Sequence, residues 1–214
     1  MIKIINLEKK AGENRIIIHN FNVEIEQGEA VLVKGPSGCG KTTLLKILAM
    51  VDTYDSGQYF YDGRLVKCTN DMINSKIRKY DIGYIPQNLH LIANLCAYEN
   101  IMLSLRLQKN LSKAKEKIYE IAKYLEIENL LDTAAGRLSR GEQQRVAIAR
   151  ACVKKSRIII ADEPTASLDE EGRDKVMKLF THMNQSGKTI ILSSHDRVNE
   201  NFISFEIELL QKES

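Results

Sequence analysis

The sequence predicts an α/β fold. Three observations carry that expectation: short apolar runs alternate with segments of helical periodicity, a glycine-rich loop joins one such run to a helix, and a later apolar run ends in two adjacent acids.

The elements follow in order. Ile2 to Leu7 is short and apolar and reads as a strand. Arg15 to Glu26 passes through Ile16, Ile17 and Ile18, then alternates through Phe21, Val23 and Ile25, and Gln27-Gly28 turns the chain. Ala30 to Val33 is a compact strand ending at Lys34 and Gly35, and Thr42 to Met50 reads as a helix with Leu44, Leu45, Ile47 and Leu48 apolar. Tyr59 to Tyr61 is a strand, and Asp62-Gly63 predicts a hairpin into Leu65-Val66. Helical character returns at Asp71 to Lys79, and Ile82 to Ile85 is a short strand stopped by Pro86. From Ala97 to Ala151 the pattern is mainly helical. Ile118, Ile121, Ala122 and Leu125 share one face, opposite Lys and Glu. Ile158 to Ala161 and Thr189 to Leu192 read as buried strands, with a helix over Arg173 to Met183 between them; Phe202 to Leu210 reads as edge strands. No repeat or low-complexity linker interrupts the chain.

Composition narrows the function. A hydrophobic fraction of 43% is enough to bury a core without disulfides or metal. The net charge of +3 is spread along the chain, so the basic stripe of a nucleic-acid binder is missing. Cys39, Cys68, Cys96 and Cys152 form no C-x-x-C pair and read as reduced thiols. The longest apolar stretch, Leu89 to Leu107, is broken by His90, Glu99 and Arg106, so no membrane-spanning helix is expected. The start, MIKIINLEKK, lacks the apolar core of a secretion signal, and the expected compartment is the one of synthesis.

Residues Gly35 to Thr42 read G-P-S-G-C-G-K-T, the pattern of a phosphate-binding P-loop, set between a strand and a helix. Glycines let successive backbone N–H groups turn inward, and the helix start adds its positive dipole end. The candidate phosphate-binding residues are Gly35, Pro36, Ser37, Gly38, Cys39, Gly40, Lys41, Thr42 and Thr43. Lys41 would reach the phosphates and the Thr42 hydroxyl a Mg²⁺ ion. Cys39, beside the helix start, is a position where a thiolate would be favoured and oxidation would inactivate.

Arg157 to Pro164 reads R-I-I-I-A-D-E-P, a strand ending in acids at the edge where α/β sheets bind ligands. Asp162 suits a Mg²⁺ site and Glu163 a general base for the attacking water. Pro36, Pro86 and Pro164, the three prolines of the chain, flank the segments that carry chemistry.

Leu138 to Arg150 reads L-S-R-G-E-Q-Q-R-V-A-I-A-R. This block resembles the ABC ATPase signature, LSGGQ followed by QR-x-x-I-A-R-A. Ser139 would cap the next helix and present its N-terminus to a phosphate. The resemblance implies that this phosphate belongs to ATP held by a second subunit, so Ser139, Gly141 and Glu142 bind nucleotide across a head-to-tail dimer of like or different chains. It assigns Gln87, in Y-I-P-Q, to the Mg²⁺-sensing Q-loop, Ser167-Leu168-Asp169 to the D-loop at the dimer interface, and His195, in S-S-H-D, to the switch histidine at the γ-phosphate. The implied fold is a P-loop NTPase with a RecA-like core of mixed sheet, an antiparallel β subdomain, and an α-helical signature subdomain. The whole of 1–214 then forms one ABC ATPase domain: 1–87 and 156–214 give the core with its β layer, and about 88–155 the helical part. The implied cofactors are ATP and Mg²⁺. The implied partner is a separate membrane permease, with the chain peripheral on the cytoplasmic face, not inserted in the bilayer and not bound to nucleic acid. The stretch P-Q-N-L-H-L-I-A-N-L-C-A-Y-E-N-I resembles the lipoprotein-release, macrolide-export and antimicrobial-peptide-export group, which points to export. A non-transport ABC ATPase acting as an envelope or division scaffold shares these motifs and stays open.

Two positions depart from the family pattern. Ala11 stands where an aromatic residue usually stacks on adenine, which predicts weaker or less selective nucleotide binding. Arg140 replaces the first glycine of the signature, either adding a cation near the facing γ-phosphate or pointing to solvent.

Overall fold

The structure, a computed structural model, describes residues 1–12, 15–67, 71–106, 112–194 and 202–209. In chain order its elements are β1 (Ile2–Ala11), β2 (Arg15–Ile25), β3 (Ala30–Lys34), α1 (Lys41–Leu48), β4 (Ser56–Tyr61), β5 (Arg64–Leu65), α2 (Asp71–Tyr80), β6 (Ile82–Ile85), α3 (Ala97–Arg106), α4 (Ala114–Tyr124), α5 (Arg140–Cys152), β7 (Ile158–Asp162), α6 (Glu170–Gln185), β8 (Thr189–Ser193) and β9 (Phe205–Glu208).

Among the described residues these strands form two sheets. One runs β2-β1-β4-β5 and is antiparallel; the other runs β6-β7-β8-β3-β9 and is parallel at every pairing. Among the described residues the core sheet is thus parallel, where the resemblance implied a mixed one. The antiparallel strands satisfy one another in a sheet of their own, and the last strand joins β3 in parallel at the edge. The expected hairpin is present. Phe60 pairs with Leu65 and Tyr61 with Arg64, and Asp62 and Gly63 both take positive φ, 48° and 73°, as a two-residue turn of the right twist requires.

The parallel strands read as unbroken apolar runs because both faces are covered. Ala30, Leu32, Ile159, Ala161, Ile190 and Leu192 pack on the side of α3, α4, α5 and α6. Val31, Val33, Ile158, Ile160 and Ile191 pack with α1 and with Ile2, Ile4, Leu7, Tyr59 and Tyr61 of the antiparallel sheet. Helix α1 is thus clasped between two sheets, which fixes the loop that precedes it. The stretch from Ala97 to Ala151 is mainly helical, as expected, its described residues forming α3, α4 and α5 with short 3-10 turns at Glu128–Leu130 and Ala135–Arg137 between the last two.

Candidate functional site

The parallel sheet delivers four chain ends to one edge. Strand β3 ends at the glycine loop, β6 at Pro86-Gln87, β7 at Asp162-Glu163 and β8 at Ser193. This is the carboxyl edge at which open α/β sheets bind ligands.

At the glycine loop, Gly40 heads α1 with φ 108°, and a Cβ there would lie 2.8 Å from Ile17 Cγ2. Only glycine takes that conformation in that space. Lys41, buried, folds back over the loop and donates from Nζ to the carbonyls of Gly35 at 2.7 Å and Pro36 at 3.1 Å. Thr42 and Thr43 are half-buried in the first turn, while Pro36, Ser37 and Gly38 are exposed. Cys39 does not meet its expectation as an oxidisable thiol: it is 4% exposed, turned beneath the loop into the apolar cluster around α1.

At the end of β7, Asp162 is 1% exposed. Its Oδ1 accepts from Ser193 Oγ at 2.8 Å, and its Oδ2 is buried with no hydrogen-bond partner. Glu163 follows in the left-handed region, φ 49°, uncommon for a residue with a side chain. Its N–H donates to Ser193 Oγ at 3.1 Å, so one hydroxyl bridges both acids. Gln87 donates from Nε2 to Glu163 Oε2 at 3.3 Å. Tyr84 lies close enough to Asp162 that burial, and then the carboxylate charge, push its phenol up from the ordinary value.

The signature block sits on a different element. Ser139 caps α5 in a capping box: its Oγ accepts from Glu142 N at 3.3 Å, and its own N–H donates to Glu142 Oε2 at 2.7 Å. These bonds hold the Glu142 carboxyl below the usual range. A Cβ on Gly141 would lie 3.1 Å from the Ser167 carbonyl oxygen, so the glycine lets the head of α5 approach the 167–169 turn. Asp169 caps α6, its carboxylate accepting from Gly172 N at 3.0 Å. Arg140 is exposed and lines a hollow with Asn88, Leu89, His90, Ala93 and Gln143. Ala11 is exposed at the end of β1, paired with Arg15. His195 lies outside the described residues, as does Cys68.

The sheet edge therefore brings together Gly35 to Thr43, Gln87, Asp162 and Glu163, while Ser139, Gly141, Glu142 and Asp169 form a second group around the heads of α5 and α6. Sequence reasoning missed Ser193, whose hydroxyl joins the two acids; its only signal was its place in the S-S-H-D run. It also missed Gln144 and Arg150, which bond backbone carbonyls far away in sequence.

A sheet edge with a glycine loop, a buried aspartate and a neighbouring glutamate defines a P-loop nucleoside triphosphatase. Residues 18–166 match the family described as ABC transporter. An uncharacterised ABC transporter ATP-binding protein of Methanocaldococcus jannaschii, MJ1508, is 37% identical over 213 residues, covering 98% of this chain and 95% of that one. The macrolide export ATP-binding/permease protein MacB of Campylobacter jejuni is 39% identical over 197 residues, covering 92% of this chain but 31% of its own length. The solved dimeric structure of the ATP-binding cassette MJ0796, in a post-hydrolysis state bound to ADP and Pi, superposes with a TM-score of 0.92 at 33% identity, covering 100% of this chain and 97% of that one. The chain belongs to the ABC transporter family as an ATP-binding, ATP-hydrolysing cassette. No helix among its described residues is long and apolar enough to cross a membrane.

Proposed function

We propose that two cassettes close on MgATP, hydrolyse it at Glu163, and drive transport, in the export direction, through separate membrane permease subunits. The observation that carries this reading is the grouping of Gln87 and Glu163 at 3.3 Å beside an aspartate whose Oδ2 is buried and unpartnered.

The phosphates lie on the backbone N–H groups of the loop from Ser37 to Thr43, Pro36 having none to offer, with Lys41 exchanging its carbonyl partners for phosphate oxygens. The residues suit Mg²⁺: Asp162 Oδ2 offers an unused hard oxygen, and the Thr42 hydroxyl and Gln87 amide are oxygen donors of the kind the ion prefers. When bound, the ion neutralises phosphate charge. Glu163 orients a water for attack on the γ-phosphorus and draws off its proton as the bond to the bridging oxygen breaks. Gln87 aligns the same water through its amide, and His195 contacts the γ-phosphate. The trans contact is made by Ser139, Gly141 and Glu142, with Asp169 at the subunit boundary. The likeness to MacB, a macrolide export ATP-binding/permease protein, and the run from Pro86 to Ile101 support the export direction. In this reading residues 1–87 and 156–214 make the core with its β layer, about 88–155 make the helical part, and the permease holds the chain at the cytoplasmic face.

Affinity purification from detergent-solubilised membranes tests the partner. The expected result is a co-purifying permease, and inverted vesicles carrying the pair should move substrate only with hydrolysable ATP. A partner with no translocation path, such as a division or envelope scaffold, contradicts the transport reading.

A further inference from the structure

Helix α5 carries two polar ties that the cassette's nucleotide chemistry leaves unused. Gln144 is 2% exposed and donates from Nε2 to the carbonyl of Pro164 at 2.8 Å. Arg150, half-buried, donates from Nη1 to the carbonyl of His90 at 2.9 Å and from Nη2 to that of Leu89. Pro164 is the residue after Glu163, and Leu89 is the second after Gln87. Gln87 in turn touches Glu163. The contacts close a ring: α5 to Leu89 and His90, back to Gln87, across to Glu163, on to Pro164, and again to α5.

Two features make this ring more than the routine satisfaction of buried carbonyls. First, the chain at His90 is bent into the left-handed region, φ 48°, and the arginine grips the two consecutive carbonyls at that bend. A guanidinium fork spans two acceptors at fixed separation, which a point-like ammonium does not. Second, the far end of the same loop is fixed independently. Asn100, fully buried, donates from Nδ2 to the carbonyls of Ile92, Leu95 and Cys96 and accepts from Ile92 N–H. The segment after Gln87 is therefore held at both ends, and Arg150 ties it directly to the helix headed by Ser139.

We infer that Gln144 and Arg150 are positioning residues: α5 sets the placement of Gln87 against Glu163, so a shift at its Ser139 end reaches both. This rests on the roles given above to Gln87 and Glu163.

ATP turnover of Arg150→Lys, Gln144→Met, Gln87→Ala and each positioning variant combined with Gln87→Ala tests it. Arg150→Lys and Gln144→Met should each lower kcat roughly tenfold with the ATP KM held within about twofold, as expected for misplacement of a reacting group. Combined with Gln87→Ala, neither should lower kcat more than about twofold further, because the effects share one pathway. Amide exchange over 87–91 should quicken in Arg150→Lys, a readout that needs no activity. Gln144→Met keeps the test open if Arg150→Lys fails to fold. Full kcat in both positioning variants, or losses that multiply with that of Gln87→Ala, overturns the inference. Unchanged kcat in Gln87→Ala alone instead removes the role assigned to Gln87, a separate result from failure of the ties.

Discussion

Ser193 shows how much a single hydroxyl organises. It donates to Asp162 Oδ1 and accepts from Glu163 N–H, joining the end of β8 to the end of β7. Ser193→Ala leaves the buried Asp162 carboxylate oxygen and the half-buried Glu163 N–H without that partner. The expected cost is about 1–3 kcal/mol of stability, measured by urea unfolding, together with slower ATP turnover from a misplaced Glu163. Unchanged stability would contradict the bridge. Ala11 makes the opposite prediction. It is exposed and too small to stack on a base, so Ala11→Tyr should tighten ATP binding by about 1–3 kcal/mol; an unchanged Kd removes the argument. The phosphate loop and the two acids were legible in the sequence because each is a contiguous pattern with its own chemistry. Ser193 was not, because its role comes from the parallel register that sets Asp162 beside it. Cys39 was misread for a related reason: helix position was visible, but the inward turn of its side chain was not.

At the scale of elements, the head of α5 was legible: Ser139 was expected to cap it, and does. Ser139 and Glu142 spell a capping box in four residues, and the box is formed. Gln144 and Arg150 had no such signal, since their partners lie 20 and about 60 residues away. The same is true of Lys154, which follows α5 and donates to the carbonyls of Arg78 and Lys79 in the last turn of α2. Burial lowers its ammonium from 10.5 to about 8, with Asp81 opposing and Lys188 adding to the shift. Below about pH 8 the folded state holds a desolvated charge that unfolding relieves; above about 10.5 the residue is neutral in both states. In between, the unfolded chain binds more protons, so this lysine makes stability rise with pH across that window. The difference in melting temperature between wild type and Lys154→Met should therefore grow in favour of wild type from about pH 8 to 10.5. Parallel curves would show that Lys154 titrates normally.

At the scale of the molecule, the alternation of strands and helices was readable, and so was the burial of β7 and β8. Strand order was not. The sheet runs β6-β7-β8-β3-β9, and the edge strand β9 pairs with β3 across more than 170 residues of chain. That order matters to function because it places Gln87, Glu163, Ser193 and the phosphate loop at one edge. The signature serine stands apart from that edge at the head of α5, which is why a second cassette is central to the account. The most direct test is size-exclusion chromatography of Glu163→Gln with and without MgATP. The account predicts a dimer that forms only with MgATP, because the variant binds nucleotide in the sandwich but cannot activate the water. A monomer at saturating MgATP would contradict the completion of the site by a second copy of this chain.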